Sequence, residues 1–495
     1  MNERSTSPLI LITRCLAVML GVLLIVSVAQ ARSASDTPQP AAASQNAKLY
    51  LPVSLAGSPI GWTADTIFGT QMYNDSRETS RHYNDLVDSG ATWLRIAVHW
   101  KQTEAENTSP DNYDWRHGDH VFAAAAANNS IQIIGTIEDA PDWAVDDPTK
   151  SDGPLRPENV PDYLEFVAEL VERYDGDGFK DAPGSPAVDL WEIYNEPDKK
   201  LNVSDGRWGN HATQYSELLS AVYPVIKARN PNAQIVLGGL AYDWFEDQNG
   251  PFVRSFLDDV LAHGNGENFD IFNFHAYPVF AVNWTSGLRE VGPGLLQKAE
   301  FLREKLSAAG IDKPMIITEA GWHSNVTGVP YQQGSEEIQS RYVVQLYTQS
   351  LAADLDVMIW WLLYDAVGHP NDNGLVTIDN PPRRKLGFTA HQTTVNMLTG
   401  KPFVRALSPG ELNNNVSLEA YAFNNPATGR ALYVAWLNPV DHGNTTTLTL
   451  TAEEVRRFDI YGAQLSSILD GQDGVDDGRV KVPVGAQPVY IEVVR

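Results

Sequence analysis

The sequence predicts an α/β fold, a (β/α)8 TIM barrel with a C-terminal antiparallel β-sandwich domain. Three observations carry that prediction. From about residue 60 to residue 400, short apolar runs alternate with stretches whose apolar residues recur every three or four positions, as in strand–helix repeats. The alternation repeats eight times, which favours a closed barrel over an open sheet. After Gly400 the helical period is lost, and short β-type runs divided by Asn, Gly, Asp and Pro take over.

The elements follow in chain order. Arg4 and Arg14 precede the apolar stretch Leu16–Ala29, and Ala29-Gln30-Ala31 offers a small-x-small cleavage site, so residues 1–31 read as an export signal. A spanning helix needs about 20 apolar residues, so this stretch is short for one, and an uncleaved membrane anchor is the other reading of it. Residues 32–47, rich in Ser, Ala, Pro and Gln, read as a flexible linker. Residues 48–59 open with a strand, Lys48–Leu55, that no helix follows; it is expected to join the C-terminal β-domain.

The barrel is assigned to residues 60–400. Its strands are expected at Gly61–Phe68, Trp93–His99, Ile131–Ile137, Asp189–Tyr194, Gln234–Gly238, Ile271–Tyr277, Met315–Thr318 and Val357–Leu363. The helical stripes are clearest in Tyr163–Tyr174 and His211–Arg229. In residues 401–495 the strand-like runs are Ser417–Phe423, Ala431–Leu437, Thr446–Thr451 and Val489–Val494, and Asp470–Gly478 reads as a solvated hairpin.

Composition removes several function classes. The net charge of −26 repels phosphate backbones and anionic lipid, so neither nucleic acid nor, once the signal is removed, a membrane is an expected partner. The single cysteine, Cys15, lies inside the signal, which leaves no disulfide and no thiol nucleophile. No Gly-rich phosphate loop follows a strand, and no His/Cys spacing suits zinc, so no cofactor and no catalytic metal are expected. Asp175, Asp177 and Asp181 alternate oxygen donors in a loop that lacks a complete calcium-binding pattern, and calcium and a solvated turn stay open there.

Strand four runs into Asn195-Glu196-Pro197, and strand seven into Thr318-Glu319. Catalytic groups of such barrels sit where strands meet their C-terminal loops, and strands four and seven face each other across the mouth. Two facing carboxylates are what glycosidic cleavage needs: one protonates the departing oxygen, the other attacks the anomeric carbon. Glu192, about 13 Å deeper on the same face by strand geometry, would be buried and must be paired; Arg95 on strand two is the expected partner. Glu196, close to an ionised Glu319, is expected to hold its proton to a higher pH.

These motifs, with Gly90–Arg95, Tyr113–Trp115, Pro141–Trp143, Trp191–Pro197 and His275–Tyr277, resemble clan A glycoside hydrolases, most of all family 39 and related secreted glycosidases. The resemblance implies Glu196 as acid/base and Glu319 as nucleophile of a retaining enzyme acting on β-glycosidic bonds of extracellular poly- or oligosaccharides. It further implies that Arg95 lies under the nucleophile, that Asn195 binds the sugar 2-hydroxyl and that Tyr277 donates to Glu319. His275 lies on the face of Tyr277 as a substrate-binding or a core histidine. Trp361, spaced from Asp365 as in the family, would floor the sugar site, and Trp143 and Trp322, with Trp100 and His323, are rim candidates for further subsites. A transglycosylase using the same site and a non-catalytic carbohydrate-binding barrel are the other readings.

Overall fold

The computed structural model describes residues 66–73, 76–127, 131–264, 266–285, 292–327 and 332–495. The export signal, the linker and the strand expected at Lys48–Leu55 lie outside the described residues. Eight parallel strands form the barrel: β1 (Phe68–Gln71), β2 (Trp93–His99), β3 (Gln132–Glu138), β4 (Leu190–Ile193), β5 (Gln234–Leu237), β6 (Phe272–Ala276), β7 (Met315–Ala320) and β8 (Val357–Trp360). They pair in the order β5-β4-β3-β2-β1-β8-β7-β6. The ring is completed by parallel bridges Val236↔Ile271 and Leu240↔Phe274 between β5 and β6. The helices of nine residues or more are α1 (Ser76–Ser89), α2 (Arg116–Ala126), α3 (Val160–Arg173), α4 (Ala212–Arg229), α5 (Phe256–Gly264), α6 (Leu295–Ala308), α7 (Glu336–Ala352) and α8 (Leu386–Leu398). Apolar stripes set their inner faces: Tyr163, Val167, Leu170 and Val171 of α3 are all buried.

Strand ends depart from the sequence reading. The described part of β1 begins at Phe68, where the expected strand stopped, because Gly69 and Gln71 break the apolar run. Gly69 is nevertheless required there: a Cβ at that position would stand 2.3 Å from Ile359 Cδ1 of β8. Strands four and eight are shorter than expected, ending at Ile193 and Trp360, and the Trp361–Leu362 peptide is cis.

The C-terminal strands are β9 (Phe403–Ala406), β10 (Leu418–Asn425), β11 (Arg430–Leu437), β12 (Thr445–Thr451), β13 (Glu454–Phe458), β14 (Gln464–Leu469), β15 (Arg479–Gly485) and β16 (Val489–Val493). A six-stranded antiparallel sheet, β14-β13-β16-β11-β10-β9, faces the two-stranded β12-β15 sheet across a core that includes Leu418, Leu437, Leu448, Val455, Val482 and Ile491. Alternation sends Tyr421, Phe423, Val434, Trp436 and Tyr490 to the other face, where they join the barrel's own apolar core. Tyr490 Oη donates to Thr394 of α8 at 2.9 Å, and Gln349 of α7 donates to Glu419 at 2.8 Å. Asp470–Gly478, expected as a hairpin, instead links β14 in one sheet to β15 in the other.

Candidate active site

The barrel floor beneath the mouth is a buried polar network centred on Arg95 of β2. Its Nε donates to Glu192 at 2.7 Å and to Thr136 at 3.1 Å, and its Nη2 reaches Glu192 at 3.0 Å. Glu192 also accepts from the Gly239 amide, Asn273 and Thr318. A fully buried carboxylate with that many donors is a satisfied one. Burial works to raise the Glu192 pKa, but the Arg95 charge and hydrogen bonds bring it below the usual carboxylate value. Glu192 is thus the structural partner expected for Arg95.

Arg95 also faces upward. Its Nη1 donates to Glu319 Oε1 at 2.7 Å and to Gln71 at 2.8 Å, and its Nη2 donates to Asn195 Oδ1 at 2.9 Å. This last contact fixes the Asn195 amide so that its nitrogen is the end left to donate. Tyr277 Oη donates to the other oxygen of Glu319 at 2.7 Å. Burial and the neighbouring Glu319 charge push the Tyr277 pKa well above its ordinary value, so the phenol keeps the proton it donates. Glu319 is therefore held at both oxygens, one by a cation and one by a neutral donor.

Glu196 arrives by a different route from the one strand alternation implies. β4 ends at Ile193, and the chain turns through left-handed Tyr194 (φ 61°) and Glu196 (φ 44°), which brings the carboxylate over the mouth. The Glu196 amide is held by the Gly239 carbonyl at 3.0 Å. His275 Nδ1 stands 3.2 Å from Glu196 Oε1 and 3.7 Å from Glu319 Oε2, so a buried imidazole lies between the two carboxylates. One atom each from Glu196, His275 and Glu319 lie within 4.8 Å of one another. The seat of the imidazole depends on Gly239, where a Cβ would come 2.2 Å from His275 Nε2.

The charge state of Glu196 is a correction. Burial favours its protonated form, as the sequence reading required. The His275 hydrogen bond and the charges of His275, Arg207 and Lys199 outweigh it and hold the carboxyl at about 2. The like charge of Glu319 is legible in the sequence, whereas the approach of Arg207 and Lys199 to Glu196 is set by the loop after β4 and is not.

The aromatic residues separate into two groups. Trp361 is half-buried, with its ring edge-on to Tyr277 at 6.5 Å and to His369 at 5.0 Å, while Trp360 is fully buried and donates to the Asn373 carbonyl. Trp322 is 6% exposed, stacked on His323 and packed against Tyr342. Trp100 is part of the core, and the half-buried Trp143 meets it edge-on at 5.2 Å. The structure therefore brings Glu196, Glu319, Arg95, Asn195, His275 and Tyr277 together with Trp361 alongside, and holds Trp100 and Trp322 in packing.

Several residues of the mouth escaped the sequence reading. His99 and Glu138 are register partners at the ends of β2 and β3, 3.8 Å apart, and burial raises the Glu138 pKa to about 7. Gln71 and Arg207 complete the surround. A polar residue closing an apolar strand was the signal available for Gln71, His99 and Glu138 at the ends of β1, β2 and β3; Arg207, in a loop, carried none. Away from the mouth, oxygens of Asp175, Asp177 and Asp181 also lie within 4.8 Å of one another.

The parallel barrel and the pair of glutamates at its mouth fit the clan A glycoside hydrolases that the sequence resembles, enzymes acting on carbohydrate. The chain belongs to the cellulase family, glycosyl hydrolase family 5, whose model matches residues 53–366. The resemblance to family 39 falls in the same clan and is met by solved structures. One is a family 39 glycoside hydrolase from Bacteroides cellulosilyticus WH2, with TM-score 0.60 and 18% identity over 86% of this chain and 81% of that one. Another is a family 39 β-xylosidase from Caulobacter crescentus, with TM-score 0.56 and 15% identity over 87% of this chain and 97% of that one. At such identities the likeness shows the fold. A protein of Oryza sativa subsp. japonica named after mannan endo-1,4-beta-mannosidase is 25% identical over 164 residues, 33% of this chain. The match spans 37% of that relative's length. Among the described residues no helix is long and apolar enough to cross a membrane.

Proposed function

We propose that the protein is an exported, retaining β-glycosidase that cleaves extracellular poly- or oligosaccharides by double displacement. The observation that carries this reading is the closeness of Glu196 and Glu319, whose nearest oxygens lie within 4.8 Å around His275. Retaining enzymes hold their carboxyl groups about 5–5.5 Å apart, whereas inverting ones leave roughly 6.5–9.5 Å for a water. Glu319, anchored by Arg95 and Tyr277, attacks the anomeric carbon; Glu196 serves the departing oxygen and then activates water. The neighbours that hold Glu196 below the usual carboxylate value in the free enzyme favour its second role, as acceptor of a proton from water. The export signal read in residues 1–31 supports action outside the cell, and the relatives named for xylosidase and mannosidase activity support a β-linked neutral sugar.

The test is to screen chromogenic β-xyloside, β-mannoside, β-glucoside and β-galactoside and to follow the best substrate by NMR. The first product anomer is expected to keep the configuration of the substrate. An inverted first anomer refutes retention.

A further inference from the structure

The loop between β4 and α4 carries a second cation into the site. Arg207 is nine-tenths buried, and its Nη1 lies 3.7 Å from Glu196 Oε2. The same nitrogen donates to the Asn195 carbonyl. Its Nη2 stands 3.6 Å from Asp205 Oδ2, and the charges of Asp152 and Glu138 also act on it. The buried Nε has no hydrogen-bond partner. Glu196 therefore meets two different groups at its two oxygens. Oε1 faces His275, which can exchange a proton; Oε2 faces a guanidinium, which cannot.

We propose that Arg207 is a positioning residue of the acid/base: it clamps the turn that carries Glu196 and, through its charge, sets the pH at which Glu196 passes from proton donor to proton acceptor. The inference rests on the reading of Glu196 as acid/base. The two effects have one origin. Holding the Asn195 carbonyl fixes the peptide immediately before left-handed Glu196, and the same guanidinium nitrogen favours the carboxylate over the acid. Such a cation favours the second half-reaction, in which Glu196 must accept a proton from water. It opposes the first, in which Glu196 must release one to a departing sugar. Asp205, Asp152 and Glu138 share the charge of Arg207 and temper it, while Lys199 adds to it. The other titratable neighbours of Glu196 are His275, Tyr277, Asp198 and Glu319.

The sign follows from the charge. Replacing Arg207 with a neutral residue removes stabilisation of the anion, so the proton is held to higher pH, by about 1 unit for an opposite charge at this range. Two measurements test it in wild type, Arg207→Met and Arg207→Lys. Carboxyl-carbon NMR, with the Glu196 signal identified by its loss in Glu196→Gln, is expected to show the anion down to about pH 3 in wild type. In Arg207→Met the signal should titrate at least one unit higher, and Arg207→Lys should return it towards wild type. In kcat/KM profiles, the basic limb for an alkyl glycoside should move up by about 1 unit in Arg207→Met, with no such move for a dinitrophenyl glycoside, whose departure needs no proton.

A Glu196 signal that titrates alike in all three proteins overturns the proposal. So does a loss of rate that is equal at every pH and for both substrates, which would make Arg207 a strut of the loop alone. Failure of the acid/base reading shows differently: Glu196→Ala would then cleave the alkyl glycoside as fast as wild type, whatever Arg207 does to the titration.

Discussion

Two carboxylates of the same chemistry are held in opposite ways. Glu319 accepts short hydrogen bonds from Arg95 and Tyr277 at its two oxygens, which orients it for attack. Glu196 sits on a left-handed turn, open on one side to the mouth and flanked by His275 and Arg207. Their roles should separate under substitution. Glu196→Ala is expected to lose roughly 10²–10⁴-fold on substrates with poor leaving groups, the usual worth of acid–base assistance. It should still be glycosylated by dinitrophenyl glycosides, and azide should then give a glycosyl azide of retained configuration. Glu319→Ala should fail on every substrate, and azide should restore turnover with an inverted product. Exchange of these outcomes between the variants would reverse the assignment. The positions of both carboxylates were legible because a strand end followed by Asn-Glu-Pro or preceded by Thr is a local signal. Arg207 was not, since its contact with Glu196 is made by a loop residue 11 positions on, and no periodicity reports where a loop side chain points.

Among the elements, β5 and β6 show how backbone space serves chemistry. Gly239, just past the end of β5, gives its amide to Glu192 and its carbonyl to the Glu196 amide, and leaves room for the His275 ring. Gly239→Ala would press a methyl group into the imidazole at 2.2 Å, with Thr318 Oγ1 also only 2.8 Å away. Overpacking of this kind costs about 1–3 kcal/mol. The expected result is a lower unfolding midpoint in urea and a fall in kcat that the alkyl glycoside feels more than the dinitrophenyl glycoside, because the imidazole that partners Glu196 is displaced. Equal activity and stability in this variant would show that the ring has room to move aside. The apolar runs marked the strands from β2 to β8, whereas the run expected as the first strand stops at Phe68, where the described β1 begins, and strand ends were read less well throughout. Polar inward residues such as Gln71 and Glu138 belong to their strands, since Arg95 and His99 pair them at the barrel mouth, yet they look like loop in a hydrophobicity pattern. The bulge between Phe274 and His275 that shifts the pairing of β6 with β7 is equally invisible to a period-2 count.

At the scale of the whole molecule, the question is whether the barrel and the C-terminal β-structure are separate bodies. The change of period at Gly400 read them as two domains, and alternation along β10, β11 and β16 gave sheets with two apolar faces. What those faces cover depends on contacts far apart in sequence. One face closes on the β12-β15 sheet, whereas the other places Tyr421, Phe423, Trp436 and Tyr490 in the same apolar cluster as the barrel. That junction is reinforced by Tyr490 with Thr394, Tyr461 with Ser340 at 3.0 Å, and Gln349 with Glu419. Inter-domain contacts that are large and apolar remove the independence expected of linked domains. Heating should therefore give one calorimetric transition, with loss of activity at the same temperature. Trp436, fully buried and stacked on Tyr421 at 5.2 Å, is the residue to probe. Trp436→Ala is expected to cost about 3–5 kcal/mol. Although Trp436 lies in the sheet and not in the barrel, the substitution should lower the midpoints of unfolding and of inactivation together. If the β-structure instead melted first while glycosidase activity survived, the barrel would be stable alone and the shared cluster would contribute little.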